Sequence, residues 1–125
     1  IHRDDPALRS VAVFDAVVNN ADRKGGHLLA DDEGRLWAVD HGLCCHDDPK
    51  LRTVLWGWQG SPLSDAEREK LESLLSWIED HHDALAALID PREVRALESR
   101  ARALIDGHRL PSPAPGLPAI PWPAF

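Results

Sequence analysis

Two aspartates, Asp22 and Asp40, each stand close to the end of an apolar run. Asp22 lies in VVNNADRKGGH, and Asp40 opens an Asp-His-Gly tripeptide directly after RLWAV. Two carboxylates on a rigid frame suit phosphoryl transfer, because one can accept the proton of an attacking hydroxyl while the other holds a divalent cation that bridges nucleotide phosphates. Asp and Gly around strands are also ordinary turn residues, so the spacing by itself leaves both interpretations open.

A helix and a hairpin are predicted to position the two aspartates. Asp5 and Pro6 supply an N-cap and a first-turn proline, and apolar residues then recur at helical spacing, which predicts a helix over 6–19. The segments HLLA, DDEG and RLWAV predict a strand, a turn and a strand, which form a short β-hairpin over 27–39. Because a hairpin returns the chain to where it began, both aspartates can face one cleft.

The chain beyond the hairpin is predicted to be mainly helical. Residues 44–60 show no clean period, which predicts an extended loop or short helical pieces. A capping box of Ser and Glu and an apolar stripe then predict a long helix over 64–89. Asp90-Pro91 breaks that helix and caps a second one over 91–106.

The expected fold class is mainly α with one short β-hairpin (α+β). One domain over 1–107 is followed by a Pro-rich tail over 108–125, which cannot form a regular helix or a central strand. Either Trp122 and Phe125 pack against the domain and hold this tail in place, or the tail is disordered.

Composition places the chain among globular proteins and limits its partners. It has 125 residues, of which 43% are hydrophobic and 28% charged, and this suffices for one modest domain. The formal net charge of -7 argues against a nucleic-acid partner, and no apolar run has the roughly 18 residues that a transmembrane segment needs. Cys44 and Cys45 are adjacent and cannot build a disulfide framework, so we expect reduced thiols and a cytoplasmic location. Because the sequence begins at Ile1 instead of Met, we interpret it as part of a longer protein.

The segment from Asp15 to Cys44 combines NNADRKGGHLL with LWAVDHGLC. This combination resembles the catalytic core of the phosphatidylinositol 3-/4-kinase superfamily, whose type II phosphatidylinositol 4-kinases carry N-x-D-R-x-x-x-N and I-D-x-G-L motifs. It is similar also to an actinobacterial family of kinase-like proteins, while the later helices match only a generic kinase C-lobe. The resemblance implies a protein-kinase-like C-terminal lobe with a catalytic loop over 19–27 and a metal-binding turn over 40–42.

The resemblance implies a role for each residue of the two motifs. Asp22 orients or deprotonates the acceptor hydroxyl, and Asp40 is the metal-binding aspartate. Arg23 either neutralises the loop or touches phosphate, or it is an exposed structural residue. The glycine pair lets the loop pass close beneath a ligand. The implied cofactors are ATP and Mg²⁺ or Mn²⁺, and the loop residues assigned to cofactor binding are Asn20, Lys24, Gly25 and Gly26.

Position 27 departs from the family pattern. Five residues after the catalytic aspartate the family has an Asn, whose carbonyl oxygen helps to bind the second cation, and this chain has His27. Mg²⁺ prefers oxygen ligands, whereas imidazole suits Mn²⁺ or Zn²⁺ better. His27 is therefore a nitrogen ligand that shifts the metal preference, the mark of a weakened site, or a hairpin histidine without a ligand.

A zinc site near the two cysteines is an alternative metal centre. His41 and Cys44 have a His-x-x-Cys spacing that zinc sites use, and Cys45, His46, Asp47 and Asp48 follow directly. No second Cys/His pair follows at finger-like spacing. The other interpretation makes Cys44 a small buried hydrophobic residue after the metal-binding turn.

Two tryptophans, Trp56 and Trp58, lie near Lys50 and Arg52, where a kinase has its activation or substrate loop. Exposed aromatic residues beside cations can contact a membrane or a partner. Burial of both tryptophans in the core is the alternative, and it needs no ligand.

The sequence contains neither a Gly-rich loop nor a strand lysine of the Val-Ala-Ile-Lys type. Because kinases bind ATP between two lobes, the expected partner is a missing N-terminal lobe, and the chain alone is expected to be inactive. The intact protein is predicted to transfer the γ-phosphate of ATP to a hydroxyl of a lipid, a protein or a small molecule. The alternative is a pseudokinase-like module that binds a nucleotide or a partner without catalysis.

Overall fold

The computed structural model describes residues 5–125 and is mainly helical with one antiparallel hairpin. This arrangement confirms the predicted α+β fold class. No helix within these residues is long and apolar enough to cross a membrane. The elements, in chain order, are α1 (Pro6–Val18), a 3₁₀ turn (Gly25–His27), β1 (Leu28–Ala30), β2 (Leu36–Ala38), a second 3₁₀ turn (Trp56–Trp58), α2 (Asp65–Asp80), α3 (His82–Ala86) and α4 (Pro91–Gly107).

The helices begin at the capping residues that the sequence indicates. The Asp5 side chain accepts a hydrogen bond from the backbone N–H of Ala7 at the start of α1. At the start of α2, the Ser64 hydroxyl accepts from the N–H of Glu67, whose carboxylate accepts from the N–H of Ser64. Asp90 makes the corresponding contacts at α4. Each cap satisfies N–H groups that have no partner inside the helix.

The helix predicted over 64–89 is divided, which corrects that prediction. His81 leaves helical geometry at φ -120° and ψ 22°, and its ring stacks on Trp77 with the centroids 4.4 Å apart. Its Nδ1 lies 2.8 Å from the Trp77 carbonyl oxygen, which also accepts the backbone N–H of His81 at 2.9 Å. The chain resumes as the short α3 and turns toward α4, so that Leu85 and Ile89 still pack against the core.

Two hydrophobic clusters stabilise the fold. The larger one lies between α1, α2 and α4, and the smaller one lies between α1, the 44–60 loop and the segment after α4. Arg9 of α1 donates two hydrogen bonds to the carboxylate of Glu67 and so joins α1 to α2. The buried members of the larger cluster are Ala16, Val17, Leu71, Ile78, Val94, Leu97, Ala101 and Leu104, and those of the smaller are Val54, Leu55, Trp58 and Leu110.

The predicted hairpin is present, with Leu29 opposite Trp37 in its register. The Asp31 carboxylate organises the turn, because it accepts hydrogen bonds from the backbone of Arg35 and from the indole N–H of Trp37. The backbone N–H of Val39 donates to the carbonyl of His27, which extends the pairing beyond both strands. The hairpin therefore brings the end of β2 beside the loop that precedes β1.

The Pro-rich tail is docked on the domain, but not by the two aromatic residues that the sequence indicated. Trp122 is 91% exposed and Phe125 is 77% exposed. The fully buried residue of this segment is Pro121. Leu110 and Ala124 join the smaller hydrophobic cluster, and backbone hydrogen bonds from Gly25 and Thr53 complete the attachment.

Candidate functional site

A buried polar network lies beneath the loop that carries Asp22. Asp15 on α1 has a fully buried side chain, and its carboxylate accepts hydrogen bonds from Asn20 and Arg23. The side-chain oxygen of Asn20 accepts from the backbone N–H of Asp22 at 2.9 Å. A buried network in which each member has partners is rigid, because breaking any bond leaves a buried polar group unsatisfied. The backbone of Asp22 is therefore fixed by its hydrogen bond to Asn20, which belongs to this network.

Arg23 joins the two motifs instead of reaching into the cleft. Its guanidinium is fully buried, pairs with Asp15 at 2.9 Å and donates through Nη1 to the carbonyl of Val39. Val39 directly precedes Asp40, so one arginine binds α1, the loop and the end of β2 together. Both expectations for Arg23, contact with phosphate and an exposed position, are corrected because no face of its side chain is open to a ligand.

Asp22 faces outward from this network. Its side chain is 29% exposed, and the ammonium of Lys24 lies 3.8 Å from its Oδ1. Lys24 is also partly exposed, so the two form a loose ion pair at the rim of the loop. A carboxylate in this position is reachable by a hydroxyl from outside, with a cation beside it that can approach a phosphate.

Asp40 adopts a backbone conformation that L residues rarely take. Its φ is 61°, in the left-handed region, and its side chain is 62% exposed. Such a conformation costs free energy, and Asp is among the non-glycine residues that tolerate it best. The Asp40 carboxylate meets the Asp22 loop at His27.

His27 lies between the two motifs and contacts both. The backbone N–H of Lys24 donates to its Nδ1 at 3.3 Å, and its Nε2 lies 3.4 Å from Oδ2 of Asp40. Because Nδ1 accepts, the neutral ring carries its proton on Nε2, the nitrogen that lies near Asp40. Ligation of a metal through Nε2 would move the proton to Nδ1 and break the contact with Lys24. The Asp40 carboxylate thus fits a divalent cation, whereas His27 fits one only after this rearrangement.

The glycine pair approaches a part of the chain itself. The backbone N–H of Gly25 donates to the carbonyl of Ala124 at 2.8 Å. A Cβ added at Gly26 would lie 3.7 Å from the backbone carbonyl carbon of Phe125. The close passage that the glycines were expected to give to a cofactor is therefore used by residues 124–125.

Within residues 5–125, the alternative zinc site does not form around His41 and the two cysteines. His41 packs edge-on against Phe14, with the ring centroids 5.2 Å apart. Burial raises the pKa of Cys44 to about 11, with a further contribution from the neighbouring Cys45, which disfavours the thiolate that zinc needs. Within residues 5–125, the three side chains with ligand atoms all within 4.8 Å of one another are the exposed His46, Asp47 and Asp48.

The two tryptophans near the loop are structural. Trp58 is buried in the smaller cluster. Trp56 is partly buried, and its indole N–H donates to the carbonyl of Ala119 at 2.8 Å. The contacts of both rings are made inside the protein, which agrees with the packing interpretation.

Residues 52–54 form a second support that sequence reasoning did not find. The N–H of Arg23 donates to the carbonyl of Arg52, and the N–H of Val54 donates to the carbonyl of Arg23, so the loop and this segment pair as a parallel bridge. The Nε of Arg52 also donates to the carbonyl of Ala21. This pairing joins residues about thirty positions apart, and no local pattern marks it.

The fold and the site define an α+β domain in which a buried arginine couples a helix-end loop to the end of a hairpin. A protein from Mycobacterium tuberculosis, Protein Rv2133c, is 48% identical over 126 residues, an alignment that covers 100% of this chain and 45% of that protein. The chain therefore spans less than half the length of the relative that it matches. No protein-family model and no solved structure matches the chain.

Proposed function

We propose that this chain is the C-terminal lobe of an ATP-dependent phosphotransferase of the phosphatidylinositol 3-/4-kinase-like type. The observation that carries the proposal is the coupling of the two motifs by Arg23, whose buried guanidinium binds Asp15 and the carbonyl of Val39. A loop used only as a turn needs no such link to the residue before Asp40. The link fixes the two acidic segments relative to each other, as phosphoryl transfer requires of its base and its metal ligand.

The proposed roles follow from exposure and from contacts. Asp22, partly exposed and anchored through Asn20, orients the acceptor hydroxyl and takes its proton. Asp40, more exposed and turned toward the loop, supplies carboxylate oxygens to Mg²⁺ or Mn²⁺. When bound, the cation supplies charge neutralisation on the nucleotide phosphates. Lys24 stands beside Asp22 and can approach the transferred phosphoryl group.

The nucleotide requires a second part of the protein. The matched relative is more than twice as long as the aligned segment, which leaves room for a lobe with the missing Gly-rich loop and strand lysine. The proposed partners are thus that lobe, the nucleotide and a hydroxyl-bearing substrate, in a cytoplasmic protein. Lipid, protein and small-molecule hydroxyls stay equal candidates, because fold alone does not assign a substrate.

A second candidate function is nucleotide or partner binding without catalysis. The contact between His27 and Asp40 favours it, because an imidazole 3.4 Å from the carboxylate occupies space beside Asp40 that a cation would use. In this alternative the histidine occupies the position of the second cation, and the site still binds a nucleotide or a partner but does not transfer phosphate. Binding and turnover separate the two candidates, since both predict the first and only one predicts the second.

The test is ATP binding and ATP turnover by the full-length protein, with Mg²⁺ and with Mn²⁺. Asp22→Asn and Asp40→Asn are compared with Asp32→Asn, an exposed aspartate in the hairpin turn. We expect both site variants to lose at least about a hundredfold of turnover, as removal of a catalytic group does, and Asp32→Asn to match wild type. Binding without turnover establishes the non-catalytic module, and equal turnover in wild type and both site variants refutes the phosphotransferase. Labelled-phosphate transfer to a lipid extract and to a lysate then identifies the acceptor class.

A further inference from the structure

Residues 119–125, named the strap here, lie against the loop that carries the proposed site. At one end of the strap, the carbonyl of Ala119 accepts hydrogen bonds from the N–H of Thr53 at 3.1 Å and from the indole N–H of Trp56 at 2.8 Å. At the other end, the carbonyl of Ala124 accepts from the N–H of Gly25 at 2.8 Å. The strap therefore spans from the segment that pairs with Arg23 to the turn that contains His27.

The strap has both buried and exposed residues. Pro121 is fully buried, and Ala124 packs against the smaller hydrophobic cluster. Ile120, Trp122 and Phe125 point into solvent with 52%, 91% and 77% of their surface exposed. A segment without regular structure that buries Pro121 and makes hydrogen bonds at both ends has one defined position on the domain. It is an ordered part of the fold and not a linker.

The bonds of the strap continue into the proposed site. Gly25 opens the 3₁₀ turn that ends at His27, and the ring of His27 contacts both Lys24 and Asp40. Thr53, which donates to the strap, is the bridge partner of Arg23. One end of the strap therefore reaches a residue two positions before His27, and the other end reaches the bridge partner of Arg23.

We propose that the strap is a positioning element of the site, which holds the Gly25–His27 turn so that the His27 ring stays on Asp40. Without the strap, the Gly25 N–H loses its acceptor and nothing covers Gly26, so the turn gains freedom and the ring leaves the carboxylate. The buried network of Asp15 and Arg23 does not include this turn and keeps the fold. Loss of the strap therefore loosens the site without unfolding the domain. The part of this inference that concerns turnover rests on the proposed function, and the part that concerns the turn does not.

The structural test measures hydrogen exchange of single amides by NMR in the full-length protein. One variant deletes residues 119–125, and the milder Trp56→Phe removes only the indole N–H that donates to Ala119. The matched control is Trp37→Phe, which removes an indole N–H bonded to Asp31 in the hairpin turn. The amide of Val94 in α4 reports global opening, because that residue is fully buried in the larger cluster.

We expect the deletion to speed exchange of the Gly25 amide at least about tenfold and to shift the ring nitrogen signals of His27, while the Val94 amide is unchanged. Trp56→Phe should speed exchange of the Thr53 amide by about fivefold, in line with the loss of one hydrogen bond, and Trp37→Phe should leave Thr53 and Gly25 unchanged. If the deletion leaves both the Gly25 exchange rate and the His27 signals as in wild type, the strap does not position the turn and the inference is refuted. If the deleted protein fails to fold, Trp56→Phe decides: an unchanged Thr53 amide refutes the attachment.

Turnover adds a second measurement for an active wild-type protein. The deletion should lower kcat while Trp37→Phe does not, and the strap residues contact no reacting group, so the effect is one of positioning. A wild-type protein without turnover overturns the proposed phosphotransferase, yet the amide and ring signals still test the strap. Turnover that survives the deletion together with a mobile Gly25 amide contradicts the link from the turn to the site.

Discussion

The guanidinium of Arg23 lies 2.9 Å from the carboxylate of Asp15, and neither side chain has any exposed surface. Three hydrogen bonds join the pair, and a fourth runs from Arg23 to the carbonyl of Val39. A buried ion pair contributes little net stability over an apolar pair of the same shape, but an unpaired buried charge is costly. The pair therefore matters because it fixes the backbone at Val39 relative to α1. Mutation of one or both residues separates this positioning effect from the effect on stability.

The first prediction concerns this pair. Asp15→Ala should lower the free energy of unfolding by about 3–5 kcal/mol, because it leaves the Arg23 charge buried without a partner. The double variant Asp15→Leu with Arg23→Met should regain much of that stability while turnover stays low, since Val39 has lost its donor. Urea denaturation measures the first effect and steady-state kinetics the second.

The control for the first prediction is Glu33→Ala, which removes the exposed partner of Arg35. Exposed pairs contribute at most about 1 kcal/mol, so this variant should unfold almost as wild type does. A loss in Asp15→Ala no larger than in Glu33→Ala would contradict the buried network, and wild-type turnover in the double variant would contradict its positioning role.

The second prediction concerns acid stability and Glu67. Hydrogen bonds from Arg9 lower the pKa of the Glu67 carboxyl to about 2 from the ordinary value of 4.5. Because the pKa is lower in the folded state, this carboxylate stabilises the fold above pH 4.5, and the stabilisation disappears as pH falls from there to about 2. Glu67→Gln should therefore be less stable than wild type at pH 7, and the difference should shrink toward pH 2.

Melting temperatures at pH 7, 4.5 and 3 measure this difference. Glu69→Gln is the matched control, since Glu69 is an exposed residue of the same helix. A constant offset between Glu67→Gln and wild type across this range would show that the lost stability does not come from ionisation of Glu67.

The third prediction concerns the reactivity of Cys44. Its pKa is raised to about 11 by burial and then by the charge of Cys45, so the thiolate is scarce at neutral pH. Alkylation by iodoacetamide at pH 8 should be at least about tenfold slower than for an unperturbed thiol, and unfolding in denaturant should restore the ordinary rate. Mass spectrometry of Cys45→Ser, which isolates the signal of Cys44, measures both rates. Fast labelling of the folded protein would contradict the buried position.

The features that the sequence predicts well are local ones. The capping box of Ser64 and Glu67 and the start at Asp90 depend on residues three positions apart, so both were predicted correctly. The hairpin was predicted from alternating strand residues around a turn. The break at His81 was missed because the helical stripe continues on both sides of it, and the stacking of His81 on Trp77 has no signature in that stripe.

The support of the site was beyond sequence reasoning because its partners are distant along the chain. Asp15 begins the segment that resembles the kinase core, but no residue next to it in the sequence indicates that Arg23 pairs with it. The strap depends on backbone carbonyls of Ala119 and Ala124, which carry no side-chain signal. Trp122 and Phe125 were predicted to hold the tail because their side chains are large. The structure instead buries Pro121 and packs the small Ala124 against the smaller cluster.

The last prediction separates the two functions proposed for the site through His27. His27→Asn restores the oxygen ligand that related kinases have. It also removes the imidazole whose Nε2 lies 3.4 Å from Oδ2 of Asp40. If the histidine blocks a cation position, this variant should bind Mg²⁺ at least about tenfold more tightly and gain turnover with Mg²⁺, because Mg²⁺ prefers oxygen ligands. If instead the ring ligates the cation of an active enzyme, the same change should lower turnover with Mn²⁺ and shift the preference toward Mg²⁺. His82→Asn, an exposed histidine at the start of α3, controls for the loss of an imidazole. Calorimetry with each metal and turnover with each metal decide between the two, and a metal preference unchanged by His27→Asn would place the histidine outside the metal site altogether.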